Sequence, residues 1–126
     1  MTVVLDASAL LSFLQDEPGN SQVETVLTEA VICSVNWSEV VQKTVAAGID
    51  AKGVREDLEA LGLIILPFSV EDAELAALLW KQTRQFGLSL GDRACLGVGL
   101  RLEARVLTAD RIWTTLDFPI SIQCIR

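Results

Sequence analysis

The 126-residue sequence contains no histidine and no tyrosine. That absence removes serine–histidine triads, histidine acid–base pairs and imidazole metal ligands at once. Cysteine is scarce as well: Cys33, Cys95 and Cys124 lie far apart, each in an apolar stretch, with no Cys-x-x-Cys pair. This speaks against a zinc site and predicts three buried free thiols in a reducing compartment. Positive charge is short, with 10 Lys and Arg against 17 Asp and Glu and a net charge of -7. A generic basic coat for nucleic acid does not fit that balance. Long apolar runs are missing too. Runs such as Leu63 to Leu66, followed by Pro67 and Phe68, are far too short to span a bilayer. The start, MTVVLDASALL, has no basic segment and is broken by Asp6, so the expectation is a cytoplasmic protein without a signal peptide.

What is present is globular: 51% hydrophobic and 21% charged residues, in a length that suits one domain over residues 1–126. The charge is uneven. Residues 1–63 hold 3 basic and 10 acidic groups, whereas residues 64–126 hold 7 of each. An anion is therefore better met in the C-terminal half.

Short apolar runs alternate with amphipathic ones. Strands are predicted at Thr2–Leu5, Ala30–Val35, Leu63–Leu66, Arg105–Leu107 and Ile120–Ile125. Helices are predicted at Ser8–Gln15, Ser21–Glu29, Asn36–Ala47, Asp50–Leu61, Val70 to about Gln85, Ser89 to about Leu102, and Asp110–Leu116. Asn36, Asp50, Ser69 and Ser89 read as caps, and Gly48, Gly62 and Gly87 as stops. Gly91, Gly97 and Gly99 weaken the helix after Ser89, which suggests close packing against a sheet. Strands apolar on both faces and separated by helices describe an α/β fold, a parallel sheet between two helical layers.

Ligands of open parallel sheets sit beyond the carboxyl ends of strands. Asp6 ends the first strand, and Asp110 repeats the strand–acid–helix arrangement in Arg-Val-Leu-Thr-Ala-Asp. Glu39 follows the second strand and Asp92 opens the helix after Ser89. Alone, Asp6 and Asp110 read equally as caps, and Glu39 and Asp92 read first as caps. Asn36 with Glu39, and Ser89 with Asp92, have capping-box spacing. Taken jointly, four acids at the entrances of four elements would repel one another in one crevice. A hard divalent cation, Mg²⁺ or Mn²⁺, resolves the conflict with oxygen ligands alone.

The pattern resembles the PIN-domain ribonucleases, and within them the VapC-type toxins of bacterial toxin–antitoxin pairs. It is carried by Val4-Leu5-Asp6-Ala7-Ser8-Ala9, by Asn36-Trp37-Ser38-Glu39-Val40, and by two longer blocks, Gly87 to Leu96 and Leu107 to Trp113. The resemblance implies Asp6, Glu39, Asp92 and Asp110 around Mg²⁺ or Mn²⁺, with Ser8 and Thr108 in support. It also implies a five-stranded parallel sheet in the order 3-2-1-4-5, a homodimer, an RNA substrate and a cognate, VapB-like antitoxin.

Of the basic groups, Arg93 and Arg111 each follow a proposed ligand, and Lys43 lies one turn beyond Glu39. They are candidates for substrate phosphates, against ordinary ion pairs or solvated faces. Arg84, Arg93, Arg101, Arg105 and Arg111 are expected to form a positive rim once cations fill the crevice. Trp37, Trp80 and Trp113 read first as core or interface residues, and Asp117 as solvated. Two functions compete. One is a metal-dependent endoribonuclease leaving 5′-phosphate and 3′-hydroxyl ends, because the rival route through the 2′-hydroxyl normally needs histidine-type pairs. The other is a non-catalytic interaction module whose acids are helix caps.

Overall fold

The computed structural model describes all 126 residues. Five short strands, β1 (Val3–Leu5), β2 (Ala30–Cys33), β3 (Ile64–Leu66), β4 (Arg105–Thr108) and β5 (Ile122–Cys124), form one sheet. Its order is β3-β2-β1-β4-β5 and every pairing is parallel, as expected. The helices are α1 (Ala7–Leu14), α2 (Asn20–Val26), α3 (Ser34–Ala46), α4 (Val54–Ala60), α5 (Val70–Leu78), α6 (Trp80–Thr83) and α7 (Leu90–Leu102).

Strand pleating divides the core in two. Val3, Leu5 and Ile32 point to one face, where they pack with Leu10, Val23, Val40 and Leu58 of α1 to α4. Val4, Val31 and Val106 point to the other, where they meet Leu79 and the α7 residues Cys95, Leu96 and Val98. The alternation follows from the twofold repeat of a strand. It produces three layers, helix on sheet on helix. The central strands are buried on both faces; the edge strands are not, and Ile64 of β3 is 56% exposed.

Several boundaries differ from expectation. Asp50 accepts from the amide of Lys52 in a local turn instead of capping a helix, and α4 begins only after Gly53, at φ +84°. The long helix from Val70 is interrupted for one residue at Leu79 and resumes as α6. Its tail then tightens into a 3-10 turn, Arg84–Phe86. The expected helix after Asp110 is likewise a 3-10 turn, Arg111–Thr115.

Cys33 and Cys95 are buried, whereas Cys124 on edge strand β5 is half-buried; all three are free. Burial raises both buried thiols, Cys95 well above its ordinary value, which keeps them protonated and unreactive. Trp113 is fully buried and Trp37 packs against the opposite core. Trp80 is half-exposed, with the Arg84 guanidinium 5.2 Å from its ring centre. No helix is long and apolar enough to cross a membrane.

Candidate active site: a carboxylate pocket at the sheet edge

β1 and β4 are neighbours, with Leu5 paired to Leu107, so the next residues, Asp6 and Thr108, emerge side by side. Asp6 is 5% exposed and also begins α1, its Oδ1 accepting from the Ala9 amide at 2.8 Å. The Thr108 hydroxyl donates to Oδ2 at 2.6 Å, and the Ser8 hydroxyl lies 2.8 and 2.9 Å from the two carboxylate oxygens. Ser8 and Thr108 in turn accept from the amides of Ala109 and Asp110. Two hydroxyls thus tie the end of β1 to the turn after β4. Burial pushes the Asp6 carboxyl up to about 6. Bonds from Thr108, Ala9 and Ser8 pull it down and the Asp92 charge adds to the rise, but desolvation dominates.

The other three acids come from three separate elements. Asp110 is exposed and accepts from the Ile112 amide through Oδ1 at 3.0 Å. Asp92, near the start of α7, completes a capping box: Oδ2 accepts from the Ser89 amide, and the Ser89 hydroxyl accepts from the Asp92 amide. Glu39 does not. Helix α3 starts at Ser34, so Asn36 lies inside its first turn and caps nothing. The Asn36 side-chain amide instead donates to Glu39 Oε1 at 2.8 Å and to the Gly91 carbonyl at 2.9 Å.

One pocket of about 150 Å³ is lined by Asp6, Ser8, Asn36, Glu39, Lys43, Asp92 and Asp110. All four sequence-selected acids therefore share a cavity at the carboxyl edge of β1 and β4. No three carboxylates or thiols are gathered closely enough to hold one ion between them. No ion pair involves any of the four acids, since the molecule's four ion pairs lie elsewhere. The donor set nonetheless suits a hard cation. It is all oxygen; capping leaves Asp92 Oδ1 and Asp110 Oδ2 free of protein hydrogen bonds, and the Asn36 contact leaves Glu39 Oε2 free. Mg²⁺ commonly takes only one or two carboxylates and keeps several waters.

Residues 3–119 match the PIN domain family.

The chain belongs to that family.

Solved structures with the same PIN fold include a toxin–antitoxin complex from Klebsiella pneumoniae, 16% identical, covering 99% of this chain and 98% of that one, at TM-score 0.73. FitAcB from Neisseria gonorrhoeae is 16% identical, with 96% of each chain covered and a TM-score of 0.71. VapBC-5 from Mycobacterium tuberculosis is 20% identical over 100% of this chain and 99% of that one, at TM-score 0.60. No curated protein sequence matches the chain.

Within this PIN domain, Lys43 lines the pocket and forms no ion pair with Glu39. The two candidate arginines do not line it. Arg93 turns to α5, where it donates to the Ala76 carbonyl at 2.8 Å, and Arg111 is exposed beside Asp110. The expected arginine rim does not form as a unit: Arg101 is bound to Asp72, Arg105 to Gln123, and Arg84 lies on Trp80. The glycines of α7 also serve different neighbours. Gly99 faces Val106 and Ile120, as a sheet contact requires, but Gly97 faces Leu75 of α5 and Gly91 faces the Glu39 carboxylate. Two participants escaped the sequence reading in their true roles, Asn36 and Gly91. The available signal was the Asn36–Glu39 spacing, which puts both residues on one helix face.

Proposed function

We propose that this PIN domain is a divalent-cation-dependent endoribonuclease and the toxin of a toxin–antitoxin pair. The observation that carries the proposal is the convergence of Asp6, Glu39, Asp92 and Asp110 on one pocket with no basic side chain neutralising any of them. Asp6, Glu39, Asp92 and Asp110 are the residues to hold Mg²⁺ or Mn²⁺. When bound, such an ion supplies an acidified water and positive charge for the leaving oxygen, a route to 5′-phosphate and 3′-hydroxyl ends.

The chain's own groups divide the remaining work. Thr108 and Ser8 hold the Asp6 carboxylate by charge-assisted hydrogen bonds and keep it aimed at the pocket. Lys43 is the pocket's own cationic group and meets a backbone phosphate of the RNA. Arg111 stands at the rim for a neighbouring phosphate, while Arg93 would have to leave the Ala76 carbonyl to take part. The similar folds in solved toxin–antitoxin complexes support a toxin role, with a VapB-like antitoxin, a homodimer and a cytoplasmic site of action as its corollaries. A mean hydropathy of +0.42 supports the dimer, which light scattering tests as twice 13.7 kDa.

The reading of the acids as caps alone has structural support, because Asp6, Asp92 and Asp110 all cap. It leaves Glu39 unexplained, since Glu39 sits in mid-turn of α3 and caps nothing. The deciding experiment is sequencing of cellular RNA ends after brief expression of the wild type and of Asp6→Asn. The proposal requires new 5′-phosphate ends in the first and none in the second; equal profiles would refute it.

A further inference from the structure

Asn36 is 1% exposed, yet its side-chain oxygen has no hydrogen-bond partner. The orientation of the amide is not in doubt, because both hydrogens of its nitrogen are used, one by Glu39 and one by the Gly91 carbonyl. A buried orphan acceptor is a standing cost that an apolar side chain of the same shape would not carry. The residue that bears this cost grips an acid of the pocket.

Gly91 also bounds that acid. A Cβ added there would stand 2.6 Å from Glu39 Oε1 and 2.9 Å from its Cδ. The carboxylate therefore occupies a niche made by the Asn36 amide and the bare Cα of Gly91, both of which meet its Oε1. Gly91 precedes Asp92, so the niche also fixes the acid of α3 relative to that of α7. Without the niche, two forces would carry Glu39 away. Three neighbouring carboxylates repel it, and Lys43 stands four residues on, at the spacing of a helical ion pair.

We infer that Asn36 and Gly91 are positioning residues, which hold Glu39 beside Asp92 for the cation and keep it from pairing with Lys43. The inference rests on the divalent-cation reading of the pocket.

The test is calorimetric titration of the metal-free, full-length protein with Mn²⁺, together with melting in EDTA. Asn36→Leu and Gly91→Ala should each weaken Mn²⁺ binding about 10- to 100-fold, the usual range for groups that orient a ligand. Melting of Asn36→Leu in EDTA should fall by no more than the loss of its two hydrogen bonds, partly offset by removal of the orphan oxygen, while Mn²⁺ affinity falls; a purely structural role would lower melting and leave Mn²⁺ affinity alone. Alanine favours helix, so Gly91→Ala reports on the niche even if Asn36→Leu folds poorly. The double variant should bind no more weakly than the weaker single variant. Mn²⁺ affinity within twofold of wild type in both single variants, with Asp6→Asn binding none, would overturn this inference and leave the proposed function standing. No Mn²⁺ binding by the wild type would overturn both.

Discussion

Thr108 donates to Asp6 across 102 residues of sequence, at 2.6 Å, and accepts the amide of Asp110 through the same oxygen. One hydroxyl therefore couples the buried acid of the pocket to the exposed one. Thr108→Val keeps the shape and removes both bonds. It should cost about 1–3 kcal/mol of stability, through the unsatisfied amide and carboxylate. It should also shift the acid limb of the cleavage profile to higher pH, because Asp6 loses the strongest of its acidifying bonds. Rates measured from pH 5 to 8 check the shift; an unmoved limb would separate Thr108 from the function of Asp6.

Asp6 makes the metal-free protein less stable as pH rises. Its folded carboxyl lies near 6 against an ordinary 3.8, so between those values the folded chain holds the proton that the unfolded chain has released. Stability from this group is thus greatest below pH 3.8 and is lost as pH rises through 6. Asp6→Asn removes the buried charge and should melt above wild type in EDTA at pH 8, by about 1–3 kcal/mol, with the gain shrinking at pH 4. Urea titrations at both pH values measure this.

Asp72 works in the opposite sense and in a different window. Burial alone would raise its carboxyl, but bonds from Arg101 and Ser69 prevail and hold it below the ordinary 3.8. It therefore stabilises the fold above pH 3.8 and loses that contribution as the pH falls through its lowered value. Arg101→Ala leaves the carboxylate buried without its guanidinium partner, so it should destabilise by about 2–3 kcal/mol at pH 7. The α5–α7 contact is remote from the pocket lining, so Mn²⁺ affinity should stay within twofold of wild type.

On the proposed reading, in which the Lys43 ammonium meets a phosphate that does not react, Lys43→Ala should raise KM for RNA severalfold while kcat changes little. Because Lys43 makes no ion pair, its loss should change stability by less than about 0.5 kcal/mol. Steady-state cleavage of a short fluorescent RNA, with a melt alongside, distinguishes this from a structural role. A change in kcat alone would place Lys43 at the reacting atoms instead.

Asp92→Asn retains an oxygen to accept from the Ser89 amide, so α7 should remain capped and melting in EDTA should stay within about 1 kcal/mol of wild type. RNA cleavage should be abolished. A variant cleaving at the wild-type rate in Mg²⁺ would remove Asp92 from the catalytic set.

The central strands, Asp6 and Asp110 were legible because each obeys a local rule, whereas Glu39 and Asp92 read alone as caps and joined the set only with the others. Apolar triplets such as Val3-Val4-Leu5 need a two-sided core, and an acid at the end of such a run has only one edge of the sheet to occupy. The long helix after Ser69 differs from its periodicity only by a one-residue interruption at Leu79 and a 3-10 tail, Arg84–Phe86, and no local pattern announces either. Asn36 was mistaken for a cap because β2 ends at Cys33, two residues sooner than its apolar run suggests. The arginines were least legible of all. Whether Arg93 reaches outward or turns to Ala76 depends on where α5 lies, and nothing within ten residues of it specifies that.

The acids that double as helix caps have a genetic corollary. Aspartate and asparagine codons differ by one purine transition, and asparagine is an equally good cap. If the proposed function holds, a single base change at the codon for Asp6 or Asp92 should thus yield a chain that is folded, charge-depleted and inert toward RNA. Glu39 offers no such exit. The same transition in its codon gives lysine, which would press an ammonium into the niche between the Asn36 amide and Gly91. Disarmed lineages of this protein should therefore carry asparagine at position 6 or 92 far more often than any replacement at position 39.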